Sequence, residues 1–499
     1  MLLLFLLSLP ILIFLFHLLH KTRKPTKNSV PPGPPGLPLI GNIHQFATAK
    51  LVHIYLCQLS KKYGPLIHLK LGSKPLLVIS SAKLAKEVMK TQDSVFCSRP
   101  KHYGQHKLSY NCADIIFSPY NDYRKEVRKI AVVNLLSPQK LQTFRTIRKD
   151  EVSRVVKKIS GFASSNRVVD MSEISTSVSS SLICRIAFGK RYDEQGSENR
   201  RFRELLNEIV AVASGFYVSD YFPRLGWVDK LSGLISFTDT ILKKSDSFYQ
   251  ELIEEHLCRK KEEDEEDDIL DILIRLKEEK SCSVDLEWDN IKALLLNIFA
   301  AGTDTSATSI EWTMAALIKA PHEMQKVQAE IRDLVGKKGV VDENELPKLP
   351  YLKAVVNESL RLYPPAPLLV PRETIEKCTL DGYEIQPKTT VFVNAWAIAR
   401  DPEYWEKPDE FMPDRFLNND IDVKGQDFEV TPFGSGRRVC PGMHMGLANV
   451  ELTVANLLCA FDWELPRGVR ADDVDMEAVP GIALHKKNPL LLVPKKYLV

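Results

Sequence analysis

The chain has 499 residues, 44% hydrophobic and 26% charged, a composition of ordered globular proteins with room for one large domain or two or three average ones. A net charge of +3, with no arginine-rich arm and no zinc-type Cys/His spacing, gives no sign of a nucleic-acid partner. Nine cysteines, odd in number and without a C-x-x-C pair, argue against a disulfide framework and fit a reducing compartment.

Residues 2–20 are almost wholly apolar and uncharged, close to the ~20 needed to cross a bilayer. Nothing basic precedes them, no small-residue cleavage site follows, and Lys21, Arg23, Lys24 and Lys27 come straight after. This predicts an uncleaved transmembrane anchor over 1–20, in preference to a signal peptide, with the body of the protein facing the cytosol. Residues 21–40 read as a basic and proline-rich hinge, stiffened by Pro31-Pro32-Gly33-Pro34-Pro35-Gly36-Leu37-Pro38. No Pro/Gly/Ser linker interrupts 41–499, so one large catalytic domain is expected there.

Within that domain Pro65–Gly72 and Pro75–Ser80 have the pattern of a β-hairpin. Helix signals dominate from about Ala82 to Ala320. The acidic run Glu262–Asp268 reads as a solvated loop or a helix start. Short strand signals return near Leu368–Thr374, Asp381–Ile385 and Thr390–Asn394. The expected fold class is mainly α with small β-sheets (α+β).

Trp288–Lys319 is a long helical pattern in which Ile298, Ala301, Gly302, Thr305 and Ser309 share one face. That face is small enough to admit something flat, with a threonine hydroxyl at its edge. Close helix packing, or a threonine bonded back to its own helix, is the alternative explanation. Glu358 and Arg361 lie one turn apart in another helix, and Arg415 sits in the proline-punctuated loop Phe411–Phe416. If buried together, the three would lock that loop in place, a structural role. Last comes Phe433–Gly442, a glycine-rich loop around Cys440, followed by an apolar helix pattern from Met443 to Leu458. A thiolate near a helix N-terminus is stabilised there. It suits a nucleophile, a disulfide half or a metal ligand.

Taken in order, Ala301-Gly302-Thr303-Asp304-Thr305-Ser306, Glu358-x-x-Arg361, Pro413-Asp414-Arg415-Phe416 and Phe433-x-x-Gly436-x-Arg438-x-Cys440-x-Gly442 resemble the cytochrome P-450 haem-thiolate monooxygenases. The resemblance covers essentially the whole chain, and the wording of the motifs is similar to the plant A-type group of the endoplasmic reticulum. It implies the cytochrome P-450 fold and haem b (iron protoporphyrin IX), with Cys440 as axial iron ligand, Phe433 packed beside the sulfur to keep water away, and Gly436, Gly442 and Ala301 against the porphyrin. Arg438, Arg372 and Arg128 match the family's propionate partners. The chain departs from the pattern at Arg124, where a tryptophan is usual. Thr305, with Asp304 beside it, matches the pair that delivers protons to bound dioxygen. A substrate pocket is implied around Lys107–Phe117, Leu294, Ile298, Ala301, Ala366, Leu368, Leu369, Gly481, Ile482 and Ala483.

The function so implied is oxidation (hydroxylation, epoxidation or N-oxidation) of a small lipophilic plant metabolite such as a terpenoid, phenolic, indole or aldoxime. No G-x-G-x-x-G follows a strand, so NADPH would act indirectly, through a membrane-bound reductase docking near Arg437, Lys125 and Lys129. The implied location is the endoplasmic-reticulum membrane, single-pass, with the lipid bilayer as a further partner. A haem-thiolate isomerase or dehydratase is an alternative, opposed by an intact Thr305. A membrane-tethered cysteine hydrolase is a more distant one, needing a histidine such as His444 beside Cys440.

Overall fold

The structure, a computed structural model, describes residues 30–192, 197–260, 266–417, 419–479, 481 and 483–497. The expected anchor over 1–20, the first part of the hinge, most of the acidic run and Ile482 lie outside these residues. Among the described residues no helix is long and apolar enough to cross a membrane. The proline strap is not free of the globule. His68 N–H donates to the Pro32 carbonyl at 2.9 Å, and a Cβ on Gly33 would stand 2.0 Å from the His68 oxygen. Glycine there lets the strap lie flat on the sheet edge.

The hairpin forms as expected, Leu66–Leu71 antiparallel to Lys74–Ile79. Thr390–Val393 adds parallel to its second strand, and Arg372–Glu373 closes the four-stranded sheet. The strand signal over 368–374 shrinks to those two residues. Leu369 has φ +53°, and Pro371 has no N–H to give a ladder, so pairing starts only at Arg372. Cys378–Leu380 pairs with Tyr383–Ile385 around Asp381 and Gly382, both at positive φ, as a tight hairpin requires. A third sheet, Val169–Asp170, Leu491–Lys496 and Phe461–Glu464, brings the C-terminal strand between two distant segments.

Five helices position the site: α1 (Asp122–Ile130), α2 (Met171–Phe188), α3 (Trp288–Lys319), α4 (Pro350–Leu362) and α5 (Met443–Ala460). Helix α3 is buried along most of its length and runs between two apolar clusters. One contains Ile186, Phe188, Leu295 and Phe299; the other contains Ile310, Trp312, Leu317, Leu452 and Leu457. Gly302 sits where α2 presses on α3, since a Cβ there would stand 2.6 Å from Ile183 Cδ1. Close packing therefore accounts for part of the small-residue face.

Glu358 and Arg361 of α4 are fully buried. Arg361 Nε and Nη2 donate to the two Glu358 oxygens at 2.7 and 2.8 Å, and Arg415 Nε donates to Oε1 at 3.1 Å. Arg361 also donates to the carbonyls of Ala399, Pro408 and Glu410, and the Met412 amide donates to Glu358. One carboxylate and two guanidiniums thus tie residues 399–416 to α4. In the acidic run, the described end has a local job: Asp268 caps helix Ile269–Glu278 through a capping box with Asp271.

Candidate active site

A cavity of about 270 Å³ lies between α3 and the Cys440 loop. Ile298, Ala301, Gly302, Thr305 and Ser309 form one wall; Phe433, Cys440, Gly442 and Met445 form the other. Ala366 and Leu369 close one side, as expected, and Ile115 and Ile116 represent the segment 107–117. Leu368 is turned away and packs on the apolar cluster around Leu56, Leu59 and Leu69. The positive φ at Leu369 separates the two neighbours. Leu294, Gly481 and Ala483 do not line the cavity either; Leu294 and Ala483 are buried elsewhere.

Cys440 is, of nine cysteines, the one that lines the cavity. Its amide donates to the Phe433 carbonyl at 3.0 Å, which turns the loop so that sulfur faces α3. Burial pushes its thiol up, opposed by the Gly442 N–H aimed at sulfur and by Arg128. Gly442 is thus placed as a sulfur donor. Gly436, expected against the porphyrin, is off the wall. It has φ +70°, and a Cβ would stand 2.1 Å from the Met89 carbonyl. Its freedom serves close backbone packing under the loop. His444, required by a cysteine hydrolase, is exposed, and no hydrogen bond among the described residues joins it to Cys440.

One end of the cavity is strongly basic. Arg128, Arg372 and Arg438 are there as expected, and Arg99 and Arg124 join them. Asp93 is the only carboxylate among the described residues that ion-pairs with any of the five, at 2.9 Å from Arg372. The others donate to backbone carbonyls: Arg438 to Cys97 and Ser118, Arg99 to Val370 and Pro371, Arg128 to Val439. Arg124, which is 2% exposed, donates to the Arg437 carbonyl but leaves its Nε without a partner. Burial, reinforced by neighbouring guanidiniums, pushes Arg438 down to about 9 and Arg124 to about 10. So much buried positive charge calls for an anion. A narrow apolar slot with a thiol at its centre and arginines at one end fits iron protoporphyrin IX, a flat apolar ring carrying iron and two edge carboxylates. The residues present fit the group.

Neither Arg99 nor Arg124 stands out in the sequence as part of this charge. Arg99 is one of many arginines, and Arg124 breaks the family pattern. Thr305 lines the cavity, with its hydroxyl donating to the Ala301 carbonyl at 2.7 Å. Asp304 does not line it; its Oδ1 lies 2.8 Å from Nε2 of His485, a residue that no local pattern singled out.

The model of the cytochrome P450 family matches residues 31–493. The chain is 49% identical over 469 residues to 6,7,8-trihydroxycoumarin synthase of Pastinaca sativa, covering 93% of this chain and 92% of that protein. It is 47% identical to 5-OH-xanthotoxin synthase of Ammi majus, with the same coverage. It is 45% identical to strychnine-11-hydroxylase of Strychnos nux-vomica, covering 92% of this chain and 89% of that protein. A zebrafish cytochrome P450 solved with progesterone superposes with a TM-score of 0.77 at 25% identity, covering 89% of this chain and 99% of that one. The slot, its thiol and its arginines thus belong to a haem-binding, dioxygen-using monooxygenase, and the chain is a member of the cytochrome P450 family, in its plant 71 clan.

Proposed function

We propose that this monooxygenase hydroxylates a flat, uncharged aromatic of the coumarin class. The observation that carries this reading is the cavity wall above the slot, built from Ile115, Ile116, Ile183, Ile298, Leu369 and Val370. Branched aliphatic side chains select by shape, and Asn297, the amide beside Ile298 on that wall, is already engaged; the other lining amide, Asn449, belongs to α5 on the side of the Cys440 loop. Asn297 donates to Asp114 at 3.1 Å and accepts from the Ile115 N–H at 3.1 Å. A ligand gains little from hydrogen bonds there, which favours apolar ring systems. The coumarin and xanthotoxin relatives, at 47–49% identity, support the same class. The test is a titration of the full chain with xanthotoxin, followed by incubation with NADPH and reductase. A spin-state shift and a product carrying one added oxygen are expected. A shift with terpenoids or indoles but not with coumarins would redirect the assignment.

The haem, when bound, supplies dioxygen activation, and a thiolate ligand favours O–O cleavage. Cys440 serves as that ligand; the Gly442 amide and Arg128 favour its anionic form. Phe433 would shield the sulfur from water, and Arg99, Arg124, Arg128, Arg372 and Arg438 would hold the carboxylates. The Thr305 oxygen accepts a hydrogen bond from water while its proton turns from Ala301 toward the cavity. A hydroxyl passes a proton this way without changing charge. Thr305→Ala should therefore raise the share of NADPH electrons released as peroxide several-fold in a folded enzyme. Unchanged peroxide release would move the relay to Ser306 or Ser309, the other hydroxyls on that wall.

Electrons reach this site from a membrane-bound NADPH–cytochrome P450 reductase, with exposed Arg437, Lys125 and Lys129 on the Cys440 side as its contacts. Residues 1–20 anchor the enzyme in the endoplasmic-reticulum membrane, 21–40 connect the anchor to the body, and 41–499 form the catalytic domain facing the cytosol.

A further inference from the structure

Asp304 projects from the side of α3 away from the cavity, and its partner there is His485. The second ring nitrogen, Nδ1, lies 3.2 Å from Thr308 Oγ1. The Thr308 hydroxyl proton is directed at the Asp304 backbone carbonyl, 2.9 Å away, so its oxygen is left to accept from the ring. Both imidazole nitrogens therefore face acceptors. Only the doubly protonated ring satisfies both at once.

The backbone around His485 is held from several directions. Trp312 Nε1–H donates to the Leu484 carbonyl at 2.6 Å, Leu484 N–H to Pro365 at 2.9 Å, and Val479 N–H to the His485 carbonyl at 2.9 Å. Leu484 and His485 are thus seated against α3, while the His485 side chain stays 35% exposed. The charged groups facing it are Asp304 and Glu311 of α3; Lys486, the next residue in the chain, lies near Glu311. Glu311 is itself hydrogen-bonded to Ser172 of α2. Burial works against charge on the ring. The Asp304 carboxylate, with Glu311 behind it, outweighs that and raises His485 above the ordinary 6.5.

We propose that His485 loads protons onto Asp304: it takes them from solvent and passes them to the carboxylate that supplies Thr305. In the transfer the Nε2–H bond breaks as an Oδ1–H bond forms. The ring is left neutral, with its proton on Nδ1, and regains one at Nε2 from solvent. His485 touches neither substrate nor cofactor and acts through Asp304, so it is a positioning residue. The proposal rests on the reading of Asp304 and Thr305 as the proton-delivering pair. Because the ring's value is raised in the folded protein, the arrangement is complete below pH 6.5 and is lost as pH rises through the shifted value.

Two measurements on the full chain test this. In the first, histidine ring ¹⁵N resonances are titrated, with His485 assigned by its absence from His485→Gln. Its pKa should lie above 6.5 and fall by about one unit or more in Asp304→Asn. A His485 value that does not respond to Asp304→Asn overturns the proposal. In the second, the share of NADPH electrons appearing as peroxide is followed against pH with reductase, a readout that needs no identified substrate. It should rise with pH in the native enzyme and be several-fold higher and flat with pH in both His485→Gln and His485→Arg, because arginine keeps the charge but cannot release a proton. Low peroxide in His485→Arg would show that charge alone suffices and would overturn the proposal. The carbon monoxide spectrum shows that each variant is folded. If Asp304→Asn raises peroxide and His485→Gln does not, the relay stands and the role of His485 is refuted. If neither raises it, the relay reading itself fails.

Discussion

Replacing Cys440 with alanine is expected to abolish the red-shifted Soret band that a thiolate-bound ferrous haem gives with carbon monoxide. The loss should be complete, because the other eight cysteines lie off the cavity. Cys97, for example, is buried with its thiol donating to the Ser94 carbonyl. The slot would keep its arginines and its apolar walls, so some porphyrin would still bind, with a spectrum lacking thiolate character. Retention of the red-shifted band in this variant would put the iron ligand elsewhere. The thiol is held up by burial, and a bound cation deprotonates a coordinating thiol outright. Iron binding and proton release at Cys440 should therefore occur together.

The second large effect is expected at Glu358, which does not line the cavity. Glu358→Ala removes one carboxylate that serves two guanidiniums and one backbone amide. It leaves the Arg361 cation fully buried, with only carbonyl partners. Breaking a buried pair from one side costs about 3–5 kcal/mol. Against a typical total of about 5–15 kcal/mol, that is a major fraction. The yield of folded, haem-loaded enzyme should collapse, and the thermal midpoint of what remains should fall by several degrees. The double replacement Glu358→Leu with Arg361→Met should recover part of the loss, because it leaves one fewer charge without a carboxylate. An unshifted midpoint in Glu358→Ala would show that the pair adds nothing net, contrary to its geometry.

Much of this architecture could be read locally. The hairpin at 66–79 follows from alternating apolar residues about a Gly-Ser turn, and α3 and α5 from helical spacing over long runs. Cys440, Thr305, Glu358 and Arg361 stand in short patterns whose members are close in the chain, so spacing alone puts them on one loop or helix face.

What the sequence by itself determined, then, was the fold class, the Cys440 loop with the helix that follows it, and the small-faced helix α3. The tertiary structure alone decided which residues complete the site, because their partners are far along the chain. His485 meets Asp304 across 181 positions, and Arg372 meets Asp93 across 279. Arg99 reaches Val370 across 271. Periodicity carries no information at such separations. Single backbone angles decided the rest: a positive φ at Leu369 points it into the cavity and leaves Leu368 in the core, and Gly436 owes its place to the Met89 carbonyl. Local chemistry is written in neighbouring residues, whereas charge balance and proton supply depend on groups that only folding brings within hydrogen-bonding distance.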